Sequence, residues 1–381
     1  MCQPTGVFLP TGLVPGVRLP DVRDYSIAGT RKANVPVEAF LGVGFAMEEV
    51  KKAASRRRAM LLALPNVVGV GVGYKQTGGE RTSKPAVVVM VKKKVSKDEL
   101  APQHVVPEKV EGVPTDVIEV GDLKPLAREQ APVGTPLVTP VDPRLRTSRL
   151  RPAPPGVSIG HYQVSAGTFG AIVYDPTGHP YILSNNHVLA NSTSGRDRRA
   201  KRGDPVLQPG VADGGQSGDV IGVLDRYVPI RPLRTNLVDA ALAKPRSATV
   251  IKDEVLGLGR VGGVAKPRLG LAVRKSGRTT GVTAGFVEIL EATVRINYGG
   301  DTPVSFGDQI ILSPMSAPGD SGSLVVDERN RAVGLLFAGS DRSTVCSPIE
   351  NVLAALKVGF AGRAKSPASR AKAAPRRAVT R

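Results

Sequence analysis

Between Val157 and about Val358 the chain repeats one pattern: apolar runs of strand length, each closed by a turn signal, with no helical stretches alternating between them. Asp175-Pro176-Thr177-Gly178, Asp213-Gly214-Gly215 and Tyr298-Gly299-Gly300 are such signals. Many short strands without alternating helices predict an antiparallel sandwich or barrel. The 43 Gly and 32 Pro in 381 residues supply the turns, and 41% hydrophobic residues supply at least one sizeable core. A wholly disordered or collagen-like chain is thereby excluded. With only Cys2 and Cys346 present, the core must stand without a disulfide framework.

Composition divides the rest of the chain. Residues 1–44 mix Gly, Pro and scattered apolar residues without a period and read as an irregular lead-in. Residues 48–64, free of Gly and Pro and rich in helix formers, predict a helix ended by Pro65-Asn66. The β-rich runs 67–75, 86–94 and 115–121 follow, so 45–122 reads as a small α+β domain. Residues 123–156, rich in Pro and Arg, read as a linker, and 157–360 as the β domain. Ser347-Pro348-Ile349-Glu350 reads as a capping box with Ser347 at N-cap and Pro348 at N1, opening a C-terminal helix. The tail 361–381 holds 7 Lys/Arg and no acid, so 7 of the net +19 lies there and +12 remains on the body; it reads as disordered.

Four features of the β domain point to one chemistry. Tyr181-Ile182-Leu183 reads as a strand running into Ser184-Asn185-Asn186-His187, which would leave His187 exposed at a strand end. Asn236 to Ala243 reads as an apolar strand with one carboxylate, Asp239, which must find a partner if buried. Ala317-Pro318-Gly319-Asp320-Ser321-Gly322-Ser323 reads as a Gly-flanked turn whose main-chain N–H groups converge beside Ser321. Ala332 to Ser340 reads as a strand ending in small residues, able to pair with an extended peptide. The other histidines, 104, 161 and 179, show no such partner set in the sequence.

On these residues, 157–358 resembles the catalytic domain of chymotrypsin-like (trypsin-fold) serine endopeptidases, in the bacterial and plant branch with Asn-Asn-His and Gly-Asp-Ser-Gly-Ser motifs. Leu207-Gln208-Pro209-Gly210, Lys275 to Gly281 and Gly334 to Gly339 are its companion strings. The resemblance implies a mostly β fold, a chymotrypsin-like double antiparallel β-barrel with a C-terminal helix, preceded here by the small α+β domain. It implies Ser321 as nucleophile, His187 as general base and Asp239 as its orienting acid. The amides of Gly319 and Ser321 would form an oxyanion hole, with Asp320 bracing the loop. Met315 and Ser316 would form the base of the specificity pocket and Phe337, Ala338 and Gly339 its wall, for a small or medium apolar side chain. The pancreatic zymogen switch, in which a freed N-terminal amine binds the residue at Asp320, is not carried over, since no activation site stands near Val157.

Other signals lead elsewhere or nowhere. Gly257 to Gly262 fits a dinucleotide-binding pattern but lacks a following helix, and Gly69 to Gly73 reads as a glycine-rich strand allowing close packing. No His/Cys spacing suits a metal, so no metal and no cofactor is expected. The expected partner is a protein or peptide substrate. With 4% aromatic residues, nucleic acid would be held at most non-specifically through the basic tail. No apolar run reaches the ~18 residues of a membrane helix and no signal peptide is evident, so no membrane contact and a cytoplasmic location are expected, export by another route staying open. The oligomeric state is not readable. The alternative function is a catalytically idle protease-fold binding or scaffold module, contacting acidic partners or nucleic acid through its basic tail.

Overall fold

The structure, a computed structural model, describes residues 37–78, 80–126, 142–299 and 302–361. Nearly all of the lead-in, the middle of the linker and the basic tail lie outside them, as does Cys2. In chain order the first elements are α1 (Val37–Ala63), β1 (Val67–Thr77), β2 (Glu80–Val91), β3 (Lys109–Val110), β4 (Val113–Glu119), β5 (Lys124–Pro125) and α2 (Pro143–Thr147). The first half of the β domain holds β6 (Ser158–His161), β7 (Gly167–Thr168), β8 (Ala171–Tyr174), β9 (Pro180–Ser184), α3 (Asn186–Leu189), β10 (Pro205–Leu207), β11 (Val220–Tyr227) and β12 (Ala241–Pro245). The second half holds β13 (Ala272–Gly277), β14 (Gly281–Ile296), β15 (Val304–Leu312), β16 (Leu324–Asp327), β17 (Ala332–Gly339), β18 (Thr344–Pro348) and α4 (Ile349–Leu356).

Two antiparallel barrels result. The first sheet runs β7-β6-β10-β11-β12-β9-β8 around Ile159, Phe169, Ile182, Val206, Ile221 and Leu224. The second runs β13-β16-β17-β18-β15-β14, and pairing of β13 with β14 closes it around Val273, Leu312, Val325 and Leu336. α4 covers the outer side of Leu335 and Leu324 with Ile349, Val352 and Leu356. The fold is thus mostly β, with chymotrypsin-like paired barrels and a C-terminal helix.

Residues 45–122 continue the second sheet. β14 is 16 residues long; its first half pairs with β13 and its second half with β1, Gly69 opposite Val294 and Gly73 opposite Ile289. β2 then pairs with β1, and β4 joins β2 in parallel, the one parallel ladder among these strands. Side chains alternate as a pleat requires. Val87, Val89 and Val91 face Val50, Ala53, Ala54 and Leu61 of α1, which lie on one helical face. Val88 and Met90 face Val294 and Phe306 of the barrel. Gly71 shows why β1 is glycine-rich: a Cβ there would stand 2.5 Å from Ile289 Cγ2 and 3.1 Å from Ala292 Cα.

The described part of the linker is laid onto the barrels rather than extended into solvent. Arg146 is buried, its guanidinium donating to Gly156 O at 3.0 Å and Ser276 Oγ at 2.8 Å. Gln208 of the Leu-Gln-Pro-Gly string accepts from Leu150 N at 2.9 Å and donates to Ser148 O at 2.8 Å. Composition alone could not separate an exposed arginine from one whose guanidinium is drawn in by two carbonyls and a hydroxyl. The expected capping box also differs. Ser347 lies in β18 and donates to Gln309 Oε1 at 2.9 Å, so Pro348 is the N-cap residue and no side chain caps α4. The strand claims Ser347 because its backbone pairs with Leu335.

Candidate functional site

His187 lies in the short helix α3, one turn beyond the end of β9. Instead of standing exposed it is 5% exposed, because this strand end faces the other barrel. The two asparagines before it are clamps. Asn185 Nδ2 donates to the Asp239 carbonyl at 2.7 Å, and Asn186 Nδ2 donates to the carbonyls of Thr193 at 3.0 Å and Val228 at 2.7 Å. These bonds fix the strand-to-helix turn against the segment carrying Asp239.

Asp239 is fully buried, as an ionised carboxylate can be only with partners. It is not inside a strand, as expected, but in the loop just before β12. The loop leaves the carboxylate free to turn toward α3, where Oδ2 lies 2.6 Å from His187 Nδ1 and Oδ1 accepts from the His187 amide at 3.3 Å. A third donor was not foreseen: Tyr298 OH donates to Oδ2 at 2.6 Å. The Tyr298 ring also meets the His187 ring edge-on, centroids 6.3 Å apart at 81°. In the sequence Tyr298 marks only a Tyr-Gly-Gly turn. Burial, and then the negative Asp239, push its hydroxyl well above the usual tyrosine range, so it stays a donor.

Ser321 follows the turn at Gly319, whose φ of +96° is in the region glycine favours. Its hydroxyl donates to Phe337 O at 3.2 Å, and its carbonyl accepts from Thr168 N at 2.7 Å. The wall of Ser321 and the turn of His187 adjoin: a Cβ on Gly167 would approach both Val188 and Ser321 O. His187 Nε2 is buried and makes no hydrogen bond.

The loop is held from behind by Asp320. Its carboxylate accepts from Lys275 Nζ at 3.0 Å, Thr280 Oγ1 at 2.6 Å, and the amides of Thr279 at 2.9 Å, Thr280 at 3.1 Å and Ala317 at 3.0 Å. Burial pushes the Asp320 carboxyl up, but Lys275, the Thr280 hydroxyl and these amides outweigh it and leave it below its usual value. Lys275, which comes from the Lys275 to Gly281 string, thus gives Asp320 a fully buried cation from within the chain.

Met315 is fully buried, with its carbonyl accepting from Thr283 Oγ1 at 2.6 Å. Ser316 Oγ lies 2.7 Å from Thr344 Oγ1, so its polarity is spent inside the wall. Phe337, Ala338 and Gly339 end β17. The edge there is paired: Ala338 faces Pro125 and Gly339 faces Lys124, and Gly319 N donates to Leu126 O at 2.6 Å. Among the described residues no group of three His, Cys, Asp or Glu side chains lies close enough to hold a metal ion. Nor is any described helix long and apolar enough to cross a membrane. Gly257 to Gly262 lies in turns with no helix after it.

Two of the other histidines also meet an acid: His179 Nδ1 lies 3.6 Å from Asp175 Oδ2 at the surface, and His161 is paired in the interior. His161 is fully buried with Nε2 3.1 Å from Asp204 Oδ2, and its Nδ1 accepts from Gln163 N at 3.2 Å.

The chain is similar to known proteins in two ways, by sequence and by fold. Residues 56–120 match the family model of the NARROW LEAF 1 N-terminal domain. Over 311 residues, 72% of this chain, the sequence is 25% identical to Protein NARROW LEAF 1 of Oryza sativa subsp. japonica, and it spans about half, 51%, of that protein's length. Similar solved structures include Thermobifida fusca Protease A, 19% identical, covering 54% of this chain and 98% of that one with a TM-score of 0.41. A glutamic acid specific serine protease is 24% identical, covering 55% and 100% with a TM-score of 0.41. Cellulomonas bogoriensis chymotrypsin is 19% identical, covering 54% and 96% with a TM-score of 0.38.

Proposed function

We propose that this chain is a serine endopeptidase. The observation that carries the reading is a buried His187 with Nδ1 2.6 Å from Asp239 while Nε2 is left without a partner, on the wall adjoining Ser321. An imidazole held by a carboxylate at one nitrogen keeps the other as a base. His187 Nε2 takes the Ser321 proton as the hydroxyl attacks a peptide carbonyl, then returns it to the leaving amine. Asp239 fixes the tautomer and stabilises the imidazolium, and Tyr298 fixes Asp239. The oxyanion of the tetrahedral intermediate is received by the amides of Gly319 and Ser321, each donor worth about 10²–10³ in rate. The Lys275–Asp320 pair keeps those amides aimed without a cleavage step. Water then hydrolyses the acyl-enzyme. No step needs a cofactor, and the substrate is a protein or peptide chain.

A second reading, an idle protease-fold scaffold, is favoured by one observation: the Ser321 hydroxyl is engaged with Phe337 O. Intact-mass spectrometry after exposure to a fluorophosphonate separates the two. A single adduct on the wild type, absent from Ser321→Ala and slowed at least 100-fold in His187→Ala, is the expected result. No adduct on folded wild type or on a folded Leu126→Asp variant, in which β5 is loosened from β17, would leave the scaffold reading.

A further inference from the structure

At the mouth of the candidate site the chain meets itself. β5 lies antiparallel on the end of β17, Pro125 opposite Ala338 and Lys124 opposite Gly339. The next residue, Leu126, places its carbonyl on the Gly319 amide at 2.6 Å. Its side chain is 5% exposed and belongs to the apolar cluster of Met315, Leu336 and Cys346. Strand pairing on an edge, a carbonyl on the amide beside the nucleophile, and an apolar side chain toward Met315 are three features of a peptide bound on the acyl side of a serine peptidase site. Proline in the middle loses nothing at an edge position that needs no N–H.

The strap is tied along its length. Val120 O accepts from Ser340 Oγ and from Ser343 Oγ. Leu123 is 1% exposed, packs in the cluster of Phe337 and Ala338, and its carbonyl accepts from Asn297 N at 2.9 Å. Lys124 Nζ lies 3.3 Å from Asp122. With the strap in place Ser321 is 1% exposed, its hydroxyl proton goes to Phe337 O, and His187 Nε2 is not bonded to it. The base is therefore disengaged from the nucleophile in the occupied state.

Resting on the peptidase reading, we propose that Lys124-Pro125-Leu126 occupies the acyl-side subsites as an internal competitor, and that these residues report the substrate class: extended peptides with a Leu-like residue at the attacked carbonyl, preceded by proline. A tethered peptide acts at an effective concentration on the order of millimolar, so an external substrate must displace it. A charged residue at the attacked position is rejected because the pocket around Met315 offers a charge no partner.

The test uses the full chain. Hydrogen exchange of segment 317–322 reads occupancy without any need for catalysis. It is expected to be slow in wild type, at least tenfold faster in Leu126→Asp and slow again in Leu126→Met. Equal, fast exchange in wild type and Leu126→Asp would overturn the occupancy. Hydrolysis of succinyl-Lys-Pro-Leu-p-nitroanilide is expected to rise at least tenfold in Leu126→Asp over wild type, and to exceed that of the Arg and Glu analogues at least tenfold in kcat/KM. Equal, measurable rates in wild type and Leu126→Asp would overturn the competitor, and a preference for Arg or Glu would overturn the substrate class. Slow exchange in wild type, released in Leu126→Asp, with neither protein hydrolysing or taking a fluorophosphonate, would leave the strap standing and sink the peptidase reading instead.

Discussion

The first barrel contains two buried histidine–carboxylate pairs, His187 with Asp239 and His161 with Asp204, and they differ in what the second ring nitrogen does. His161 Nδ1 accepts a backbone N–H from Gln163, two residues on, so Nε2 carries the proton toward Asp204 and both nitrogens are spent. His187 uses Nδ1 for Asp239 and keeps Nε2 unpaired. One pair is a completed structural joint; the other leaves a ring nitrogen unspent. A buried histidine with an acid is therefore not itself a catalytic sign, and under the peptidase reading the free atom is what sets His187 apart.

The largest test of this contrast is to cut each pair. His187→Gln should lower peptide hydrolysis by about 10⁴-fold or more while the fold survives. His161→Leu should leave the rate within a few-fold and cost about 1–3 kcal/mol of unfolding free energy, because Asp204 loses a buried donor. If the two variants lost activity alike, the contrast would collapse. Activity in the strap variant Leu126→Asp is the sensitive background for both.

Tyr298→Phe is a smaller and sharper change. It removes one donor to Asp239 and keeps the ring against His187, so Asp239 and the imidazolium are less well held. A fall of about 10-fold in kcat with KM unchanged is expected, about 1.4 kcal/mol in transition-state stabilisation. A change confined to KM would mean that Tyr298 shapes binding and not the pair.

The smallest effect concerns pH. Burial pulls the His161 pKa below 6.5, against the opposing pull of Asp204. The unfolded chain then binds a proton at a pH where the folded chain does not, so stability is complete above about pH 6.5 and falls as pH drops from there toward the folded value. Melting temperatures measured from pH 7.5 to 5 should decline in wild type and decline less in His161→Gln. Identical slopes would mean that His161 does not titrate on unfolding.

Much of the fold was legible because it rests on local rules. The runs at 67–75, 86–94 and 115–121 lie in β1, β2 and β4, with β2 starting six residues early, and the helix expected at 48–64 is α1, which ends at Ala63 and begins eleven residues earlier, inside the stretch whose composition reads as an irregular lead-in. Gly319 announced its turn because few other residues tolerate its φ. Asp239 was recognisable as a lone carboxylate in an apolar run, yet its setting was misread: a loop residue flanked by apolar neighbours has the same local pattern as a strand. Ser347 was misplaced because strand pairing with Leu335 overrode a good capping signal. Tyr298, His161 and Leu126 carried no local sign at all, since each gains its meaning from a partner that the chain reaches only by folding.

What the sequence determined by itself is the alphabet of the site and the spacing of its strands, through side-chain periodicity and turn chemistry that act between near neighbours. Which histidine keeps a free nitrogen, which tyrosine holds the acid, and which three residues of a proline-rich stretch lie on the end of β17 were decided by tertiary structure. Hydrogen bonds and apolar contacts act over a few ångströms, and only closure of the two barrels brings residues as distant as Leu126 and Gly319 within that range.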